Sequence, residues 1–260
     1  MKTNIALYQE SLKSDQVDYE TPYESVATDF YRELITGAVP DRAARILDLG
    51  CFKGILVDKL SDYSTVGLDV TTAGFMKPGR YALGIGEQLP FKDDTFDCVV
   101  MTEVIEHILE PERVFKEIRR VLKNEGYLLI THPNKYNLLD EALEWLKENR
   151  WIRKMLNRPI YQGVQHVQSF YYSDTIKRLR PFQFQIHSRH ALTFSLFRLF
   201  SIIVYGRFQW KNSFALIKKF IGVERFVIQR MGRVGQLLSG SCIMLFQLKP
   251  ADAPPETLQP

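Results

Sequence analysis

The chain has 260 residues, of which 45% are hydrophobic and 25% charged, enough for one α/β core and a smaller appended part. Its three cysteines, Cys51, Cys98 and Cys242, lie far apart without a Cys-x-x-Cys pair, which argues against a disulfide framework or a thiolate zinc site. The net charge of +4 hides an asymmetry: His187 to Gly235 holds nine Lys/Arg against the single acid Glu224, and the remainder of the chain is net negative.

Met1-Lys2-Thr3-Asn4 leads into polar sequence with no apolar run of signal-peptide length, so the expected location is cytoplasmic. Residues 1–44, with a helix expected over Tyr23 to Ile35, read as an N-terminal helical cover. From Arg45 onward strand and helix patterns alternate, the signature of a parallel sheet with crossover helices. Arg45 to Leu49 reads as a strand, Ile55 to Leu60 as a helix, and Ser64 to Val70 as a second strand. Thr95 to Met101 and Tyr127 to Thr131 read as buried strands. Between them, Pro111 to Lys123 places Val114, Phe115, Ile118, Val121 and Leu122 on one helical stripe, with Pro111 suited to its first turn.

Beyond this, Tyr136 to Arg158 and Ala191 to Arg233 read as helical insertions on either side of a strand at Phe182 to His187. Ser239 to Leu248 reads as a last strand, and Pro250 to Pro260 as a frayed tail. The most apolar stretch, Leu196 to Tyr205, is interrupted by Arg198 and falls short of the roughly 20 apolar residues needed to span a bilayer.

The first strand ends in Asp48 and runs into Gly50-Cys51-Phe52-Lys53-Gly54 before a helix. Glycines there allow a tight turn and a close backbone approach to a nucleotide-like ligand. Asp48 would face the cationic amino-acid end of such a ligand. Asp69, about 20 residues on at the end of the second strand, would accept ribose hydroxyls. By itself this loop is also compatible with a turn that only joins strand to helix.

Further segments follow in order: Gly86 to Asp97, Glu103-Val104-Ile105-Glu106-His107-Ile108, Glu117 to Lys123, and Thr131-His132-Pro133-Asn134. Together they resemble the class I S-adenosylmethionine-dependent methyltransferases, in the broad group that includes the ubiquinone-biosynthesis O-methyltransferases. The resemblance covers Arg45 to Asn134, with a weaker echo through His166 to Phe184. It implies an α/β fold with a Rossmann-like, seven-stranded, mostly parallel sheet, carrying the N-terminal cover and a C-terminal helical insertion. The core would comprise 45–190 and 236–249, and the insertion 191–235.

The resemblance also implies where S-adenosyl-L-methionine would bind. Asp48, Gly50, Cys51, Phe52 and Gly54 would line its methionine side, Asp69 and Val70 its ribose, and Glu87, Gln88 and Leu89 its adenine, with Met101 and Thr102 closing the cleft. Phe52 stands where the family usually has glycine, Ile85 where an adenine-contacting Asp is common, and Asn124-Glu125-Gly126 replaces a common Pro-Gly-Gly turn.

Methyl transfer needs an aligned acceptor and removal of its proton. Glu103, Glu106 and His107 fall at i, i+3 and i+4, which on a helix would share one face at the cleft mouth. They are the catalytic candidates. The same pattern resembles the metal motif of ubiquinone O-methyltransferases and of small-RNA 2′-O-methyltransferases, which would add His166 as a fourth ligand to a divalent cation such as Mg or Mn. His132 is expected to support the loop after its strand.

Within 191–235, aromatics such as Phe197, Phe200, Phe208, Trp210 and Phe226 interleave with the basic residues. That segment fits a substrate lid or a peripheral membrane contact better than an RNA surface, because runs such as Ser201-Ile202-Ile203-Val204-Tyr205 suit acyl chains better than bases. The leading expectation is O-methylation of a small-molecule, glycan or lipid-linked hydroxyl. A metal-dependent RNA 2′-O-methyltransferase and a non-catalytic cofactor binder are the alternatives.

Overall fold

The computed structural model describes residues 31–52, 54–71, 80–134, 168, 170–193, 219, 222–223, 226–227, 230–231 and 240–250. The expected helix over Tyr136 to Arg158, the tail beyond Pro250 and His166 lie outside them. Of the expected N-terminal helix only its end is described, where residues 31–36 are helical.

Seven strands form one sheet: β1 (Arg45–Leu49), β2 (Ser64–Asp69), β3 (Tyr81–Leu83), β4 (Phe96–Thr102), β5 (Leu122–Pro133), β6 (Phe184–Thr193) and β7 (Ser241–Leu248). Their order is β3-β2-β1-β4-β5-β7-β6. The first five are parallel where they pair, and β7 inserts antiparallel between β5 and β6. The strand order reverses between β1 and β4, and in open α/β sheets ligands bind beyond the carboxyl ends of the strands at that point. The expected Rossmann-like, mostly parallel seven-stranded sheet is the one observed.

Period-two alternation distributes each central strand between two cores. Leu47 and Leu49 of β1, Val99 and Met101 of β4, and Leu128 and Ile130 of β5 join one cluster with Val114, Phe115 and Ile118. Ile46, Cys98, Val100 and Leu129 face the other way, onto Ile35, Val39, Leu56 and Leu60. A sheet buried on both faces explains why its strands read as near-continuous apolar runs.

Among the described residues three helices are fully bounded: α1 (Ile55–Lys59), α2 (Pro111–Val121) and α3 (Tyr172–Leu179). In α2 the expected stripe is buried, and Pro111 occupies the first turn. The helix ends before Leu122, which turns extended and pairs with Phe96, so β5 begins earlier than its apolar run suggests.

The short edge strand β3 and helix α3 escape the sequence reading. At the other end of the sheet β6 continues to Thr193, beyond Ala191 where a helical insertion is expected, because its backbone keeps pairing with β7 as far as Ser241. Among the described residues, no helix is long and apolar enough to cross a membrane.

Candidate cofactor and acceptor site

The loop after β1 is built around positive backbone angles. Gly50 has φ 79° and Gly54 φ 68°. A side chain on Gly50 would run into the Val104 side chain, and one on Gly54 into the Tyr81 ring. Phe52 adopts φ 43° without glycine's freedom. What holds it is Asp69, whose Oδ2 accepts the Phe52 N–H at 2.9 Å while Oδ1 accepts the Thr71 N–H at 3.1 Å. Gly50 and Cys51 both donate to the Leu68 carbonyl. The end of β2 thus shapes the loop that follows β1.

Asp48, at the end of β1, is 2% exposed, and among the described residues its Oδ2 has no hydrogen-bond partner. Burial, then the neighbouring charge of Asp69, pushes its carboxyl up to about 7. Asp69 is also raised, by burial, against the lowering effect of the Phe52, Thr71 and Val70 N–H groups. A buried carboxylate without a donor is costly unless something cationic meets it. The ammonium of an amino-acid moiety would do so, and Asp69 keeps acceptor capacity for hydroxyls beyond its two backbone bonds. These residues therefore fit S-adenosylmethionine. The Cys51 thiol is buried and pushed well up, so it is a packing group against Gly67 rather than a thiolate.

Residues 85–89 form a tight turn, with Ile85 bridged to Gln88, and Leu89 is buried. The Glu117-to-Lys123 segment, quoted above only as a motif, braces this turn. Glu117 Oε2 accepts the Leu89 N–H at 2.8 Å, and Arg120 donates to the Leu89 and Phe91 carbonyls at 3.0 and 2.8 Å. Arg120 also pairs with Glu117 and Asp93, each at 2.7 Å, and its hydrogen bond holds the Glu117 carboxyl below the usual range. Glu117 and Arg120 thereby brace the turn that carries Glu87, Gln88 and Leu89.

Beyond Met101 and Thr102 the expected helical face does not form. Only Ile105–His107 is helical, as one 3₁₀ turn, and Glu103 precedes it at φ 53°. A 3₁₀ turn eclipses i and i+3 and is too short to align all three groups. Glu106 points inward, 2% exposed, and its Oε2 has no partner among the described residues. Burial, then Glu103, pushes its carboxyl well above the usual range. His107 Nε2 lies 4.0 Å from Glu106 Oε1 and is partly exposed.

Glu103, just past β4, belongs instead to a cluster with β5, β7 and the N-terminal helical residues. Its Oε1 lies 2.7 Å from the Tyr31 hydroxyl, 2.9 Å from Thr131 Oγ1 and 3.4 Å from Ser241 Oγ. Burial, then Glu103, holds the Tyr31 hydroxyl well above its ordinary pKa, so it stays a donor. Among the described residues no hydrogen bond engages Glu103 Oε2. Tyr31, Thr131 and Ser241 are the members sequence reasoning missed. Thr131 stood inside a quoted motif, whereas Tyr31 and Ser241 are far away in the chain and carry no local signal. Among the described residues no group of three or more His, Cys, Asp or Glu gathers as metal ligands.

His132 is fully buried and neutral in role. Its Nδ1 faces the Pro133 carbonyl at 2.8 Å and must donate, so Nε2 accepts from Thr175 Oγ1 at 2.8 Å. It ties β5 to α3.

Comparison with known proteins bears on the family and the fold. A family model described as a methyltransferase domain matches residues 23–188. An uncharacterised protein of Methanocaldococcus jannaschii is 36% identical over 101 residues, 38% of this chain and 44% of that protein. A ubiquinone biosynthesis O-methyltransferase of Cereibacter sphaeroides is 26% identical over 155 residues, 54% of this chain and 61% of that enzyme. The chain thus spans about half the length of these curated relatives. Among solved structures, the (4+2)-cyclase SpnF superposes with a TM-score of 0.60 at 16% identity, covering 96% of this chain and 98% of that one, a likeness of fold. The reversal of strand order, the loop at its tip and the match over most of the chain make this protein a member of the class I S-adenosylmethionine-dependent methyltransferase family.

Proposed function

We propose that the protein methylates a hydroxyl group on a small-molecule, glycan or lipid-linked acceptor. The observation that carries this reading is the Glu103 carboxylate, whose Oε1 is held by Tyr31, Thr131 and Ser241 at the carboxyl end of β4 while Oε2 has no such partner. S-adenosylmethionine supplies a methyl group already activated on a positively charged sulfur, so the protein has chiefly to align the acceptor and take its proton. In this reading Asp48 meets the cofactor's ammonium and Asp69 its ribose hydroxyls. Gly50, Cys51, Phe52, Gly54 and Val70 give the backbone path, and Glu87, Gln88 and Leu89 flank the adenine.

Glu103 Oε2 then accepts the acceptor's proton. The positive φ of Glu103 aims the side chain back across β5 instead of along a helix. Burial, then the charge of Glu103, pushes the Glu106 carboxyl up, which disfavours a second negative charge beside Glu103. His107, partly exposed at the edge of the same turn, is the next proton acceptor toward solvent.

The test is release of S-adenosylhomocysteine with phenol, sugar and lipid-linked alcohol acceptors, for native protein and Glu103→Gln. The variant should bind cofactor normally and lose about two orders of magnitude in kcat. Equal turnover by native protein and variant would remove Glu103 from the mechanism. Cofactor binding without turnover on any acceptor would favour a non-catalytic binder.

A further inference from the structure

The turn between β4 and α2 carries Glu103, Glu106 and His107 in a form that its own bonds do not secure. Glu103 sits at φ 53°, a left-handed backbone that residues other than glycine rarely adopt. Glu106 keeps its carboxyl buried, with no partner for Oε2 among the described residues. Inside the turn, the His107 and Ile108 N–H groups donate to the Val104 and Ile105 carbonyls. One 3₁₀ turn of this kind is too short to hold itself. Strained and costly features persist where the surrounding structure over-determines them.

Here the surrounding structure is Gln168. Its N–H donates to the Glu106 carbonyl at 3.0 Å, and its Nε2 donates to the Ile108 and Leu109 carbonyls at 2.8 and 2.7 Å. Carbonyls at the end of a helical turn have no partner inside it, and one residue meets three of them. Because a carbonyl oxygen can only accept, the amide turns its NH2 group toward them and uses both hydrogens. Gln168 stands two residues before Phe170, which bridges to Asn134 just past β5, and α3 begins at Tyr172. The clamp thus ties the turn after β4 to the segment beside the end of β5. Its bonds go to none of Asp48, Asp69 and Leu89, so it bears on the acceptor side and not on the cofactor residues.

We infer that Gln168 is a positioning residue for methyl transfer, whose amide clamps the backbone of 106–109 and fixes where Glu106 and His107 stand beside Glu103. It acts through the turn and touches no reacting atom. The inference rests on Glu103 as the proton acceptor and adds the residue that holds the rest of its turn. Small displacements of such groups are costly, about 100-fold in rate for 1 Å.

The test compares native protein with three variants. Gln168→Met keeps the length without donors, Gln168→Glu sets an acceptor against two carbonyls, and Gln168→Lys restores donors on a flexible stem. The backbone bond to Glu106 is open to all three. Release of S-adenosylhomocysteine is followed at saturating cofactor, with whichever phenol, sugar or lipid-linked alcohol native protein turns over fastest. Loss of the two amide bonds should lower kcat about tenfold in Gln168→Met and further in Gln168→Glu, with most of it recovered in Gln168→Lys. Calorimetric affinity for S-adenosylhomocysteine should stay within about twofold, since a loss confined to the acceptor side leaves cofactor binding alone. Hydrogen exchange at the Ile108 amide should quicken in the same order as kcat falls, and exchange at Leu89 should not change.

A clamp that served folding alone would lower the unfolding midpoint and leave kcat as it is, which would overturn the inference. So would equal losses in all three variants, or cofactor affinity falling in step with kcat. Native protein that turned over none of the acceptors would defeat the methyl-transfer reading by itself. Exchange at Ile108 would then still decide whether Gln168 holds the turn, and unchanged exchange in Gln168→Met would overturn the clamp.

Discussion

The Tyr31 hydroxyl lies 2.7 Å from Glu103 Oε1, linking the N-terminal helical residues to the carboxyl end of β4. It is also 2.5 Å from Thr131 Oγ1, which in turn reaches Glu103 at 2.9 Å, so one phenolic proton and one threonine proton share the same carboxylate oxygen. Removing the phenolic oxygen should free Glu103 to rotate. For Tyr31→Phe the account predicts a fall in kcat of about tenfold with cofactor affinity unchanged, and a stability loss of about 1 kcal/mol. Steady-state kinetics beside thermal unfolding separates the two effects; a loss confined to stability would make the contact structural only.

Asp48 makes stability depend on pH in a sense opposite to most carboxylates. Its folded value is raised from 3.8 to about 7, so its contribution is fully present below pH 3.8 and is lost as pH rises through about 7. Asp48→Asn should therefore stabilise the cofactor-free protein at and above neutral pH, by about 1 kcal/mol or more. Urea unfolding at several pH values measures this. A variant less stable than native protein at pH 8 would contradict the assignment.

Arg120 and Glu117 hold Leu89 by both its N–H and its carbonyl. In Arg120→Met the turn at 85–89 loses its clamp, with an expected stability loss of about 2 kcal/mol, since the bonds are charge-assisted. Cofactor affinity should fall with it. Hydrogen exchange at the Leu89 amide would show local opening, and unchanged protection there would rule the clamp out.

His132 contributes in the ordinary acid sense. Burial lowers its pKa below 6.5, so the stability tied to the neutral ring is present above pH 6.5 and lost as pH falls through the folded value. Thr175→Val leaves Nε2 without its donor, which should cost about 1–3 kcal/mol. An unaltered unfolding midpoint would mean that water replaces the hydroxyl.

What the sequence disclosed follows from how local each signal is. The strand ending at Asp48, its glycine loop and the stripe of α2 depend on neighbours in the chain, and the structure has them where the residues put them. The face predicted for Glu103, Glu106 and His107 failed because i, i+3, i+4 spacing is a helix property, and a single 3₁₀ turn follows β4. The Phe52–Asp69 contact was hidden for another reason. A phenylalanine at a glycine position reads as damage until the carboxylate that holds its N–H is seen. Tyr31 and Ser241 reach Glu103 only through tertiary folding, which brings together residues separated by 72 and 138 positions.

In the proposed function, Asp48 and the loop after it form the S-adenosylmethionine site. Calorimetric titration of the cofactor below pH 7, repeated in buffers of different ionisation enthalpy, tests it most directly. The account predicts binding coupled to proton release, as the cofactor's ammonium ionises Asp48. In Asp48→Asn the release should vanish and affinity fall by about tenfold or more. Binding of equal affinity in native protein and Asp48→Asn, with no proton exchanged in either, would contradict it.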